Sequence, residues 1–292
     1  MHASVFLLLG LALLLVTYLV ARPVLDRAVA SLLSPQHQPL RKLPEALSGI
    51  ARDVTLKVDG TSLSLRRFEP TEPPRGVVVL VHAWGGDAGR MAGFVEPLLQ
   101  RGLASVLVDL RGHGRSEPHP GYNGGAILED IRSVRDWVAG DAELAGLPAG
   151  LVGYSFSGLA SVVSAVRDPR WQALAVIAAP SSAHRAMGLF LSSRGLPGRL
   201  LVGALRGRFA RAFGTRADTF SAEAMLPSIG IPVLVVHGTE DEIVPIKEGQ
   251  RLASFIPDQL RSSLWVTGAD HRTVREGALV TSRVADFFSS VL

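Results

Sequence analysis

Six short runs of apolar, largely β-branched residues most constrain how this chain can fold. They are Val77–Val81, Ser105–Asp109, Leu151–Gly153, Leu174–Ala178, Val233–His237 and Leu264–Val266. A strand with one wet face alternates polar and apolar residues, and these runs do not, so each is expected to be buried on both faces. Helix-compatible segments separate them: Met91–Gln100, Glu129–Ala139, Phe156–Arg167 and, after the last run, Thr273–Val291. Buried strands alternating with helices predict a mostly parallel α/β sheet with helices on both faces. Two further runs, Val54–Val58 and Ser62–Phe68, flank Asp59-Gly60-Thr61 and read as a hairpin ahead of that alternation. With 292 residues the chain has room for one large core.

The alternation stops between Pro180 and Pro227. A Gly- and Arg-rich, helix-compatible stretch intervenes, expected to be a cap inserted at about 181–227. Within it Arg185, Arg194, Arg199, Arg206, Arg208, Arg211 and Arg216 occur without a single acid from Ser181 to Ala217. This cationic surplus fits either docking on an anionic leaflet or a solvated face. The net charge is only +4, and no nucleic-acid-binding motif is present, so no nucleic-acid partner is expected.

Hydrophobic residues make up 47% of the chain, and the excess lies at the N-terminus. Ser4 to Ala21 carries no charge, and as a helix it would span roughly 27 Å, near the thickness of a bilayer core. One transmembrane helix over residues 1–21, retained as a single-pass anchor, is the expectation, followed by a Pro-containing linker over 22–50 and a domain over 51–292. No Lys or Arg precedes the run, whereas Arg22, Arg27, Arg41 and Lys42 follow it, which would leave the domain on the cytoplasmic side of the membrane. The alternative is a signal peptide and export, although the n-region lacks basic residues.

The chemistry concentrates at the ends of the apolar runs. Gly153-Tyr154-Ser155-Phe156-Ser157-Gly158 follows Leu151-Val152 and precedes a helical segment, the strand–turn–helix setting in which a nucleophilic serine is lifted out of a sheet. A serine hydroxyl needs a base to take its proton and a carboxylate to orient that base. Downstream, Val233–Val236 leads into His237-Gly238-Thr239-Glu240-Asp241-Glu242, and the next run leads into Gly268-Ala269-Asp270-His271. His271 is the last histidine and the only one beyond the acidic cluster, so order and spacing make it the base, with Asp241 its orienter. Glu240 or Glu242 in the orienting role and an unpaired Asp270 remain open. Val77–Val81 ends in His82-Ala83-Trp84-Gly85-Gly86, a turn whose Trp84 N–H, with that of Phe156, is expected to form an oxyanion hole. His82, His113, His237 and Asp109 stand at strand ends or in turns, where structural hydrogen bonding is the expectation. Cysteine is absent and no ligand cluster has metal spacing, so neither a metal nor any other cofactor is expected.

Taken together, HAWGG at 82–86, DLRGHGRSE at 109–117, GYSFSG at 153–158, HGTEDEIVP at 237–245 and GADH at 268–271 resemble the α/β-hydrolase superfamily. The resemblance is strongest to its lysophospholipase and monoacylglycerol-lipase branch and spans about residues 54–292. It implies the α/β-hydrolase fold with a cap, Asp241 rather than either neighbouring glutamate as the acid, and a serine hydrolase acting on carboxylic esters, acyl lipids included. Two positions depart from the pattern. Ser157 replaces the second elbow glycine, and Ala83 replaces the frequent glycine of the oxyanion turn, which would narrow the acyl pocket. Thioesterases and serine peptidases share every residue named. A catalytically silent, membrane-tethered scaffold is the reading from another class.

Overall fold

The computed structural model describes residues 16, 18–24, 26–27, 39–119, 124–204, 207 and 220–292. Eight strands form one sheet in the order β1-β2-β4-β3-β5-β6-β7-β8. They are β1 (Arg52–Val58), β2 (Thr61–Phe68), β3 (Gly76–Val81), β4 (Leu103–Asp109), β5 (Ala149–Tyr154), β6 (Ala173–Ile177), β7 (Val233–Gly238) and β8 (Arg261–Val266). The hairpin β1–β2 joins β4 antiparallel, and every other pairing is parallel. The expected mostly parallel sheet is thus the observed one, with the hairpin as its antiparallel edge. β8, expected to be buried on both faces, is instead half-buried to exposed, because it is the opposite edge strand with a neighbour on one side only.

The register explains the continuous apolar runs. Along β3, Val77, Val79 and Val81 pack into one core, shared with Ile131 and Val134 of α2 (Gly124–Gly140) and Leu159 and Val163 of α3 (Phe156–Arg167). Val78 and Leu80 point to the opposite core, with Val95 and Leu98 of α1 (Val95–Leu99) and Val284 and Phe288 of α7 (Ala278–Val291). Successive side chains of a strand alternate faces, so a strand covered by helices on both sides must be apolar throughout.

Some elements differ in extent from their sequence patterns. The helix expected over Met91–Gln100 is a 3₁₀ segment, Ala88–Phe94, running into α1. Pro97 has no N–H to donate to the carbonyl four residues earlier, so α-type bonding cannot extend upstream through it. Helix α2 is already formed at Gly124-Gly125, ahead of its apolar periodicity, where poor intrinsic propensity hid it. Thr273–Arg275 is a separate 3₁₀ turn, and α7 begins only after Gly277.

The cap leaves and rejoins the domain at one neck. Ser182 and Ser221 form an isolated antiparallel bridge, with Ala183 N–H bonded to Phe220 O and Ala222 N–H to Ser181 O, both at 2.9 Å. Between them lie α4 (Ala183–Ser192) and α5 (Gly198–Ala204), joined through Met187, Leu191 and Val202. Of the seven cap arginines, Arg185 is bonded to Glu248 of α6 (Ile246–Phe255), and Arg194 stacks on the Phe190 ring. Arg206, Arg208, Arg211 and Arg216 lie outside the described residues.

The anchor expected over residues 4–21 also lies largely outside them. Among the described residues no helix is long and apolar enough to cross a membrane. From residue 39 onward the lead-in is not a loose linker but packs on the domain. Leu47 is buried in the α7-side core, Arg41 pairs with Glu276 at 2.6 Å, and Pro39 O accepts a bond from Arg90.

Candidate active site

The strand order reverses around β3, with β4 on one side and β5 on the other, and ligands of open α/β sheets bind at such switch points beyond the strands' carboxyl ends. Ser155 stands there, between β5 and α3. Its backbone is held at φ +58°, an uncommon conformation for a residue with a side chain. The tightness of the turn explains its glycines. A Cβ on Gly153 would come within 2.4 Å of Ser161 Oγ, and one on Gly158 within 2.7 Å of Ala179 Cβ. Ser157, one residue before Gly158, is buried, and the close approach to Ala179 falls on the glycine that follows it.

Asp241 and His271 arrive from the ends of β7 and β8. Their loops are zipped together by Thr239 N–H to Val266 O and Glu240 N–H to Ala269 O, both at 3.0 Å. Gly238 permits this approach, because a Cβ there would meet Ala269 O at 2.2 Å. His271 Nε2 lies 3.1 Å from Ser155 Oγ, and His271 Nδ1 lies 2.7 Å from Asp241 Oδ2. Glu240 and Glu242 are exposed and Asp241 is buried, so of the three consecutive acids only Asp241 faces the histidine. Asp270 turns elsewhere and caps its own turn by accepting from the N–H groups of Arg272 and Thr273.

Burial by itself would raise the Asp241 carboxyl. Hydrogen bonds from His237, His271 and the Val244 N–H outweigh it and hold the group below the ordinary aspartate value. Asp241 is therefore a carboxylate at neutral pH, able only to accept, so His271 Nδ1 carries the proton and Nε2 is left to accept from Ser155.

Three further histidines, His82, His113 and His237, hold turns in place. His82 Nε2 accepts from Leu110 N–H while its Nδ1 bonds Ala83 O at 2.7 Å. His113 Nε2 accepts from Gly85 N–H at 3.0 Å. Together they clamp the 82–86 turn against the loop after β4. Burial lowers His82 to about 4, against the smaller opposing effect of the Ala83 carbonyl. His237 donates to Val244 O at 2.7 Å and braces the loop that carries Asp241. Asp109 accepts from Ala88 N–H at 2.6 Å and from Arg115 N–H, organising the turns on either side. That loop is tied down further by Arg111, which bonds the fully buried Asp130 of α2.

Trp84 and Phe156 flank the serine, their rings edge-to-face with centroids 5.9 Å apart. Phe156 opens α3, so its N–H lies at the positive end of that helix. Both residues, with Ala83, Ser155 and His271, line a cavity of about 450 Å³. Its roof comes from Ala186, Met187, Leu189 and Phe190 of the cap helix α4. Among the described residues no cluster of three or more His, Asp or Glu could hold a metal.

Several functional positions escaped the sequence patterns. Tyr154 Oη donates to the His271 carbonyl at 2.5 Å, fixing the backbone of the loop that presents the imidazole. Glu248 accepts from Ser181 N–H and Oγ–H and from Arg185, fastening the neck of the cap to α6. Arg90, Arg272 and Arg275 line the cavity. Only for Tyr154 was there a sequence signal, its place beside the elbow serine.

A family model described as "Serine aminopeptidase, S33" matches residues 72–198. The pimeloyl-[acyl-carrier protein] methyl ester esterase of Chromobacterium violaceum is 30% identical over 220 residues, covering 62% of this chain and 82% of that protein. The chain belongs to the α/β-hydrolase family. A second relative, the monoacylglycerol lipase of Mycolicibacterium smegmatis, is 27% identical over 67% of this chain and 80% of its own length. Among solved structures, an esterase of Pyrococcus furiosus superposes with a TM-score of 0.70 at 20% identity, over 89% of this chain and 97% of that one. This α/β-hydrolase is accordingly an esterase- and lipase-like member of its family.

Proposed function

We propose that the protein hydrolyses carboxylic esters through an acyl-enzyme on Ser155. The observation that carries this reading is the continuous chain Ser155 Oγ–His271 Nε2, His271 Nδ1–Asp241 Oδ2, at 3.1 and 2.7 Å, opening on the capped cavity. Ser155 Oγ attacks the carbonyl carbon as its proton passes to His271 Nε2. The N–H groups of Trp84 and Phe156 are assigned to the developing oxyanion. His271 then gives the proton to the leaving alkoxide, and the alcohol departs. Water, deprotonated by the same imidazole, attacks the acyl-enzyme and restores the serine.

The apolar roof of α4 favours an acyl chain, an acyl lipid included, over a polar acid. A thioester would use the same residues. An aminopeptidase must also hold a protonated amine, and the cavity lining contains no acidic side chain among the described residues. That weighs against the peptidase reading, despite the description of the matching family model.

The test is fluorophosphonate labelling with a series of p-nitrophenyl esters. The wild type should be labelled once and turn over esters. Ser155→Ala should lose both while remaining folded, since only a half-buried hydroxyl is removed. Stoichiometric labelling of Ser155→Ala would refute the assignment.

Membrane attachment through residues 4–21, with the domain on the cytoplasmic side, remains a separate proposal resting on the uncharged run and its flanking arginines. Carbonate-resistant pelleting of the full chain, lost on deletion of residues 1–38, is the expected outcome. That boundary keeps Pro39 and Arg41 on the domain.

A further inference from the structure

The walls of the cavity are chemically uneven. Apart from Ser193 the cap contributes only apolar residues, whereas all three arginines of the lining, Arg90, Arg272 and Arg275, come from the body, beside apolar residues such as Trp84 and Val244. There is no carboxylate in the lining among the described residues. Two of the three have charge partners outside the lining. Arg90 Nε bonds Asp87 Oδ2 at 3.0 Å, and Arg275 Nη2 bonds Glu276 Oε1 at 3.0 Å. Glu276 is itself shared with Arg41, so one carboxylate serves two guanidiniums. The Arg275 side chain is only 4% exposed, and its Nε is buried with no hydrogen-bond partner among the described residues. Arg272 makes no ion pair within 4.0 Å among the described residues, and the nearby Asp270 spends Oδ1 on backbone N–H groups.

Position in the reaction assigns this cationic side to one end of the substrate. His271 must protonate the leaving oxygen, so the alcohol portion lies on the His271 side of the cavity. Arg272 is the next residue in the chain, and Arg275 lies over the ring of Tyr154, the residue that bonds the His271 carbonyl. A cation in a partly enclosed site is stabilised by an anion held at hydrogen-bond distance, and charge-assisted bonds from arginine to phosphate or carboxylate are the strong ones.

We propose that the preferred substrates are esters of an apolar acyl chain with an alcohol that bears an anionic group, phosphate or carboxylate, held by Arg272 with Arg275. This rests on the serine-esterase reading and narrows it to a substrate class.

The experiment compares kcat/KM on matched decanoyl esters below their aggregation limit: decanoyl-glycerol, decanoyl-glycerol phosphate and the decanoyl ester of glycolate. The glycolate and phosphate arms separate the two anions. The wild type should prefer at least one anionic ester over the neutral one by roughly tenfold or more, expressed in KM, with the preference shrinking as salt rises. Arg272→Gln should bring the two rates close to equal, and because Arg272 is exposed the variant should fold. Arg275→Gln should reduce the preference as well. Arg132→Gln, whose side chain is 78% exposed on α2, should keep it. Equal or faster cleavage of the neutral ester by the wild type, or a preference intact in Arg272→Gln, would overturn the inference while p-nitrophenyl ester turnover left the esterase reading standing. No turnover of any ester, with no fluorophosphonate labelling, would remove that reading and this inference with it.

Discussion

Asp241 divides its carboxylate between His271 and its own loop. Oδ2 meets His271 Nδ1 at 2.7 Å, while Oδ1 accepts the N–H groups of Val244 at 2.7 Å and Ile243 at 3.0 Å. The acid is held from behind as firmly as it holds the imidazole, and that fixes both the ring's orientation and its tautomer. Asp241→Asn keeps the shape but offers an amide that can present a donor to Nδ1. Turnover should fall on the order of 10⁴-fold, as it does when other triads lose this charge. Glu240→Gln and Glu242→Gln, both on the exposed side of the loop, should change kcat little. Steady-state kinetics of the three variants checks the assignment, and a comparable loss in either glutamate variant would contradict it.

The neutral, buried His82 makes stability depend on pH. Its value in the folded protein is about 4 against an ordinary 6.5, so below pH 6.5 the unfolded chain takes up the proton first. Stability from this group is complete above pH 6.5 and declines as pH falls towards 4, by about 3 kcal/mol in all. Urea unfolding at pH 7, 5.5 and 4.5 should show that decline. His82→Gln should flatten it, whatever its stability at pH 7.

Glu248 fastens the cap. It is 2% exposed and accepts from Ser181 N–H, Ser181 Oγ–H and Arg185. Glu248→Ala leaves those donors without their acceptor at the neck and should cost about 1–3 kcal/mol. The cap should become the first site of limited proteolysis, and the esterase chain-length profile should broaden as its roof loosens. Unchanged proteolysis in Glu248→Ala would show that the Ser182–Ser221 bridge alone holds the neck.

The loop after β4 depends on the buried pair Arg111–Asp130, with side chains 1% and 0% exposed. Asp130 is the one buried carboxylate on Arg111, whose other partners, Glu129 and Asp59, lie at the surface. Asp130→Ala leaves the Arg111 N–H and Nε–H without their acceptor and should destabilise the domain by about 1–3 kcal/mol. Because His113 rides on that loop and bonds Gly85 N–H, activity should drop well below the melting transition. Thermal unfolding and ester turnover measured on the same preparation test both effects.

Much of the fold was legible along the chain. Runs such as Val77–Val81 announce strands covered on both faces, since only that environment accepts apolar side chains in both alternating directions. The elbow was legible because its glycines answer to a local crowding that extends no further than Ser161 and Ala179. Helix limits were less so. Gly124-Gly125 are poor helix formers yet lie within α2, and the missing N–H of Pro97, rather than propensity, limits α1 upstream.

By itself, then, the sequence determined the buried parallel sheet, the strand–turn–helix that lifts Ser155, and the order in which a serine, an acid and a histidine occur. Each is a property of neighbours in the chain, where side-chain period and turn sterics act over a few residues. Tertiary structure decided how Asp241, already the acid of choice, turns inward between two exposed glutamates, because the turn after β7 meets the loop after β8 at that residue. It also decided that Ser155 and His271, 116 residues apart, stand at 3.1 Å, and that Glu248 reaches back 67 residues to Ser181. The same is true of Arg90, Arg272 and Arg275, which come together around one cavity only once β3, β5 and β8 are in register. Such contacts are set by strand pairing and packing between distant segments, which no periodicity within either segment encodes.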